Sequence, residues 1–129
     1  MQRIRNLGLV YITLGVIELA WAAFCVFGGA MLTVVGFADK DLGPLLWLGG
    51  GAYGLLAVAA FLMGAVHVGT DLKLRSGTGM VAAIVGMAVC LPSLILALYC
   101  APFSFGAMIY AIVVLLDPEV RKQLDGAPK

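Results

Sequence analysis

The stretch that decides the fold is Leu7-Gly-Leu-Val-Tyr-Ile-Thr-Leu-Gly-Val-Ile-Glu18-Leu-Ala-Trp-Ala-Ala-Phe-Cys-Val-Phe-Gly-Gly29. A hydrocarbon core about 30 Å thick takes roughly 20 apolar residues to cross, and this stretch supplies them. Its single carboxylate, Glu18, lies near its centre. Apolar character continues to about Gly36, well past the roughly 7–15 apolar residues of a signal peptide, so the segment reads as a retained anchor.

Three further apolar stretches follow. The spacing predicts spans over about 6–36, 45–69, 77–99 and 100–116, all within one membrane domain covering 1–129. Pro44 suits the first position of the second helix. Pro92 inside the third span is tolerated as a kink in a membrane helix. The first span is long for one crossing and must tilt, protrude or loosen near Gly28-Gly29. The breaks at 37–43, 70–76 and 100–102 are short, which forces antiparallel neighbours. The expected fold is therefore all-α, an up-down transmembrane bundle of four helices. Asp117-Pro-Glu then carries a helix-start pattern, and a short amphipathic helix is expected over 117–125.

Composition agrees. The 129 residues are 63% hydrophobic and 12% charged, against about 45–50% and about 25% in soluble chains. Mean hydropathy is +1.08. A soluble enzyme, a disordered tail and a disulfide scaffold are excluded. The net charge of +1 leaves no footprint for nucleic acid. The three cysteines, Cys25, Cys90 and Cys100, form no Cys-x-x-Cys and no Cys/His motif, so no metal, redox centre or cofactor is expected.

Charge placement sets the orientation. Arg3, Arg5, Lys73, Arg75, Arg121, Lys122 and Lys129 fall on one side of the predicted spans, and only Lys40 on the other. Both termini are expected in the cytoplasm.

Small residues mark the faces through which helices associate in lipid. The first span carries Gly8, Gly15, Ala22, Gly29 and Gly36 at intervals of seven. The second carries Gly50 and Gly54, extended by Ala57 and Gly64, and the third carries Gly79, Ala83, Gly86, Cys90, Ser93 and Ala97. These faces serve either packing within the chain or an interface with other membrane subunits.

Glu18 is the expensive residue. A charge at that depth costs a few kcal/mol even on lenient insertion scales. It shares the small-residue face of its helix, with Tyr11 and Cys25 seven residues to either side, and so points into protein. No Lys or Arg lies at its depth, which favours a protonated carboxyl that donates a hydrogen bond. Ser93, Tyr53, Tyr99 and Tyr110 are its candidate partners. Glu18, with Tyr11, Ser93 and Tyr53, forms either a proton- or cation-binding site or a structural link between helices. His67, four residues before Asp71, reads as an interfacial residue with a local partner. No nucleophile–base pair is evident beside Glu18, so no enzymatic activity is expected.

Two resemblances are present. Arg5-Asn-Leu-Gly-Leu-Val-Tyr-Ile-Thr-Leu-Gly15, together with Ile109-Tyr and the ending Leu115-Leu-Asp-Pro-Glu-Val-Arg121, resembles small bacterial four-span membrane proteins. That resemblance implies a bacterial inner-membrane location and no chemistry. Gly15-Val-Ile-Glu-Leu-Ala-Trp-Ala22 is similar to the first span of small multidrug resistance transporters. That similarity implies a dimer in which Glu18 is the proton and substrate site. The first expectation for function is a non-catalytic membrane module acting through helix contacts, as a homo-oligomer or a subunit of an assembly in the lipid bilayer. The second is a proton-coupled small exporter or ion conduit using Glu18.

Overall fold

The computed structural model describes residues 2–76, 79–96 and 101–125. Among them the chain is all-helical, with α1 at Gln2–Ala38, α2 at Gly43–Arg75, α3 at Met80–Leu96, α4 at Ala101–Leu115 and α5 at Pro118–Leu124. At 1.5 Å per residue, α1 is about 55 Å long and α2 about 50 Å, while α3 and α4 are only about 25 and 22 Å. α1 and α2 are each long and apolar enough to cross a membrane.

One expected boundary changes. α2 runs on through Asp71, Lys73 and Arg75, which the sequence reading assigned to a connection. Arg75 Nε bonds the Asp71 carboxylate one turn back, at 2.9 and 3.0 Å, so these charges stabilise the helix they were expected to end. α1 is unbroken at Gly28-Gly29. α3 runs through Pro92 as expected. The expected third connection falls partly outside the described residues, as do Tyr99, Cys100 and Ala97.

The α1–α2 hairpin is the frame, and it closes on a seam of small residues. A Cβ added at Gly15 would sit 2.9 Å from the Gly64 carbonyl oxygen, and one at Gly64 would sit 2.9 Å from the Gly15 oxygen. Gly29 faces Gly50 with 3.0 Å in both directions, Gly36 faces Gly43, and Gly8 faces Asp71. Ala22 and Ala57, both buried, hold the intervening places. The seam therefore recurs every seven residues on both helices, at 8, 15, 22, 29 and 36 against 71, 64, 57, 50 and 43. A seven-residue repeat keeps one narrow face toward a partner. Here the face is so small that backbone meets backbone. Gly54 is off the seam and exposed, with open space where a Cβ would go. The turn between the helices is held by Asp39 Oδ1, which accepts from the Asp41 and Leu42 amides at 3.0 Å.

α3 and α4 cover the hairpin only near its open end. Gly79, Ala83, Gly86, Cys90 and Ser93 all face inward. The core there joins Leu7, Tyr11, Leu14, Leu74, Ala107 and Val114. α5 turns away from α4 by 89°. Asp117 caps it by accepting from the Glu119 amide at 2.9 Å, and Val120 and Leu124 return to the same core. Arg3 pairs with Asp117 and ties the start of α1 to the start of α5.

Gly64→Ala forces a methyl against both the Gly15 oxygen and Leu19. It should lower stability by about 1–3 kcal/mol, as overpacking does. Gly54→Ala should be neutral or stabilising, because only helix propensity changes there. Denaturant unfolding of both variants in one detergent measures the difference, and equal responses would contradict the seam.

Candidate functional site

The hairpin geometry builds the site. Glu18 lies three residues past Gly15, and His67 three residues past Gly64. The helices run antiparallel, so these steps go opposite ways along the axis and the two residues flank the glycine crossing. Side chains lean toward their own helix N-terminus. On antiparallel helices that lean brings the two toward each other. His67 Nδ1 stands 2.6 Å from Glu18 Oε2, and both side chains are fully buried.

This places a cationic-capable partner where none was expected. His67 is fully buried, and it bonds Glu18 and not Asp71, which bonds Arg75 instead. Tyr11 stacks on the imidazole, with centroids 5.7 Å apart, and its hydroxyl donates to the Ala83 carbonyl at 3.0 Å. The other carboxyl oxygen, Oε1, accepts from Ser93 Oγ. Ser104 Oγ lies 3.1 Å beyond Ser93 and can donate to it. Tyr53 is elsewhere, beside Gly28 and Gly29. Tyr110 packs at the edge of the core.

Hydrogen-bond direction fixes the proton inventory. His67 Nε2 faces the Gly86 carbonyl oxygen at 3.1 Å. A carbonyl only accepts, so Nε2 carries a hydrogen. Nδ1 and Oε2 then share one proton, as a neutral carboxylic acid with imidazole or as carboxylate with imidazolium. The pair is net neutral in either form, which is the affordable state for two ionisable groups out of water.

A row of polar groups passes through this pair. Toward the basic end of the chain lie Thr70, which bonds the Val66 and Ala82 carbonyls at 2.9 and 3.3 Å, and then Asp71 with Arg75. In the other direction lie Ser93 and Ser104. Asp71 is buried while the Arg75 side chain is largely exposed, so the row reaches the surface there.

The site holds one more group that spacing did not reveal. Cys90 Sγ lies 3.5 Å from His67 Nε2 and 3.4 Å from the Gly86 oxygen. Cys90, His67 and Glu18 thus stand in a thiol–imidazole–carboxyl order, but with the Nε2 hydrogen on the Gly86 carbonyl the imidazole is no base toward the thiol. All three are fully buried. Ser93 bonds the carboxyl and not the imidazole, which is the wrong order for a serine nucleophile.

The small-residue faces are spent within the chain. Gly15, Ala22, Gly29 and Gly50 form the hairpin seam. Gly79 lies against Leu74, Gly86 against Thr70 and Tyr11, and Ala83 is buried beneath the Tyr11 hydroxyl. Gly54 alone of the predicted interface residues faces open space among its neighbours. An open apolar groove of about 780 Å³ runs beside it, lined by Leu19, Ala22, Cys25, Ala57 and Phe61.

Comparison of the chain with protein-family models, with curated proteins and with solved structures finds no match.

His67 is the one histidine of the chain, so 15N-histidine labelling reports it alone. The expected spectrum has Nε2 protonated and Nδ1 in a short hydrogen bond, with Glu18→Gln shifting only the Nδ1 signal. A bare Nε2 would contradict the arrangement. A double-mutant cycle of Glu18→Gln and His67→Gln should give a coupling of about 1–2 kcal/mol, within the range for hydrogen bonds to charged groups and between membrane helices.

Proposed function

We propose that the protein is a multi-pass membrane protein of the bacterial inner membrane that binds and transfers a proton at Glu18 and His67, as a small proton-coupled exporter or ion conduit. The observation that carries this reading is the 2.6 Å contact between two fully buried ionisable side chains. A structural link between helices needs only a hydrogen bond. An amide or hydroxyl pair would supply it without the cost of burying two titratable groups. Intramembrane ionisable residues mark proton relays more often than packing. The polar row from Arg75 to Ser104 gives the pair neighbours on both sides. Both termini lie in the cytoplasm, on the strength of the seven-to-one Lys/Arg asymmetry. The reading assigns no catalysis, since the one thiol aligned with the pair is sealed from substrate.

A second reading has its own support. Among the described residues, α3 reaches along the α1–α2 hairpin as far as Val89 beside Ala22, and the hairpin beyond it toward the turn is largely uncovered. Phe24, Phe27, Leu48, Leu55 and Phe61 are exposed along it. That stretch suits contact with other membrane subunits or with a second copy, alongside lipid.

Proteoliposomes carrying the purified chain, with a trapped pH dye, separate the two. Wild type should acidify under an imposed gradient, and Glu18→Gln and His67→Gln should each fall to the level of empty vesicles while keeping helical content. Equal traces for wild type and both variants would leave the pair as a structural link and favour the second reading.

A further inference from the structure

We propose that Cys90 and His67, with the Gly86 carbonyl, form a binding site for a soft monovalent metal ion, Cu(I) or Ag(I). The inference rests on the proton-binding reading for its charge balance and not for the binding itself. Three donor atoms meet at one point of the core. Cys90 Sγ, His67 Nε2 and Gly86 O are separated by 3.5, 3.1 and 3.4 Å. At zinc-like bond lengths of about 2.3 Å to sulfur and about 2.1 Å to nitrogen, the two donors stand about 3.6 Å apart at a tetrahedral angle and about 3.8 Å apart at the wider angle of a three-donor site. The donors are therefore already at ligand spacing, and an ion can enter with small side-chain movements.

The neighbouring residue strengthens the case. A metal-bound imidazole usually gives its other N–H to a carboxylate, which fixes its tautomer and raises its basicity. Glu18 stands in that place on Nδ1. Among the described residues no three His, Cys, Asp or Glu side chains group to hold a metal. The site thus offers two side chains and one carbonyl. That low donor number suits a d10 monovalent ion, and a thiolate ligand selects Cu(I) among the softer metals.

The protons balance. At rest there are three: the Cys90 thiol proton, the Nε2 proton and the proton shared by Nδ1 and Oε2. With the ion bound, Cys90 is a thiolate and the Nε2 lone pair goes to the metal. The shared proton settles on Nδ1 and is donated to Oε2. Of the two protons displaced from Sγ and Nε2, one leaves the protein and the other is taken up on Oε1, which donates it to Ser93 Oγ as Ser93 turns its own O–H to Ser104. Two protons remain. One cation enters, one proton leaves, and the buried charge does not change. A divalent ion would have to expel a second proton for the same neutrality.

The test is titration of the reduced, metal-free full chain with Cu(I) against a chromophoric Cu(I) chelator. One equivalent should be held. Cys90→Ser and His67→Gln should each weaken it at least tenfold, and Glu18→Gln should weaken it about 10–100-fold, as loss of an outer-shell partner does. Cys25→Ser should leave it unchanged. No binding by wild type, or equal binding by Cys90→Ser, would overturn the proposal. Copper K-edge absorption on the wild-type chain reads the site without any variant. One sulfur with nitrogen or oxygen neighbours is expected, and an all-sulfur shell would overturn the site. Proton flux in metal-free vesicles keeps the two readings apart. Binding without flux sinks the proton reading alone, and flux without binding sinks this one alone.

Discussion

The structure depends on hiding two ionisable side chains in one another. Glu18 and His67 are each prohibitive alone in an apolar core, because an isolated charge must either be neutralised or cost many kcal/mol. Sharing one proton at 2.6 Å makes them a neutral unit. Every other feature of the local fold serves that contact. The Gly15–Gly64 crossing lets the backbones touch. The opposite leans of the two side chains then span the remaining distance. Tyr11 covers the imidazole face, and Ser93 and the Gly86 carbonyl occupy the outer atoms of the pair.

Half of this was legible in the sequence. Glu18 stood out because a lone carboxylate in the middle of an apolar run has no inexpensive explanation. Ser93 followed from its place on the small-residue face of α3. His67 was missed for a physical reason. The charges at Asp71, Lys73 and Arg75 look like a connection, and that put His67 at the edge of its span. In the fold, the Asp71–Arg75 contact keeps α2 helical for another turn and a half, so His67 is interior. A signal for it did exist. The seven-residue repeat of α1 matches 43, 50, 57, 64 and 71 on α2, and His67 stands at the same offset from Gly64 as Glu18 does from Gly15. Reading Gly50-x-x-x-Gly54 as a motif hid that repeat, because Gly54 is not part of it.

Cys90 could not have been found from spacing. It is 23 residues from His67 and on another helix. Only the packing of α3 against α2, through Gly86 against Thr70, brings the thiol to the imidazole. Composition and periodicity describe faces, and two faces specify a site only once their register is known.

The two ends of the bundle approach the pair differently, and this matters for any proton or cation that moves. At the basic end, α5 folds across the helices and seats Val120 and Leu124 beside Leu7 and Leu74. The polar row from Arg75 through Asp71 and Thr70 passes inward there. At the other end α3 and α4 stop short, and the surface of the α1–α2 hairpin becomes an apolar groove that begins at Leu19, the residue next to Glu18. Polar groups therefore flank the pair on both sides, Thr70, Asp71 and Arg75 toward the basic end and Ser93 and Ser104 away from it, while the hairpin surface beyond Leu19 is apolar. The asymmetry makes Glu18 and His67 the boundary between the two environments.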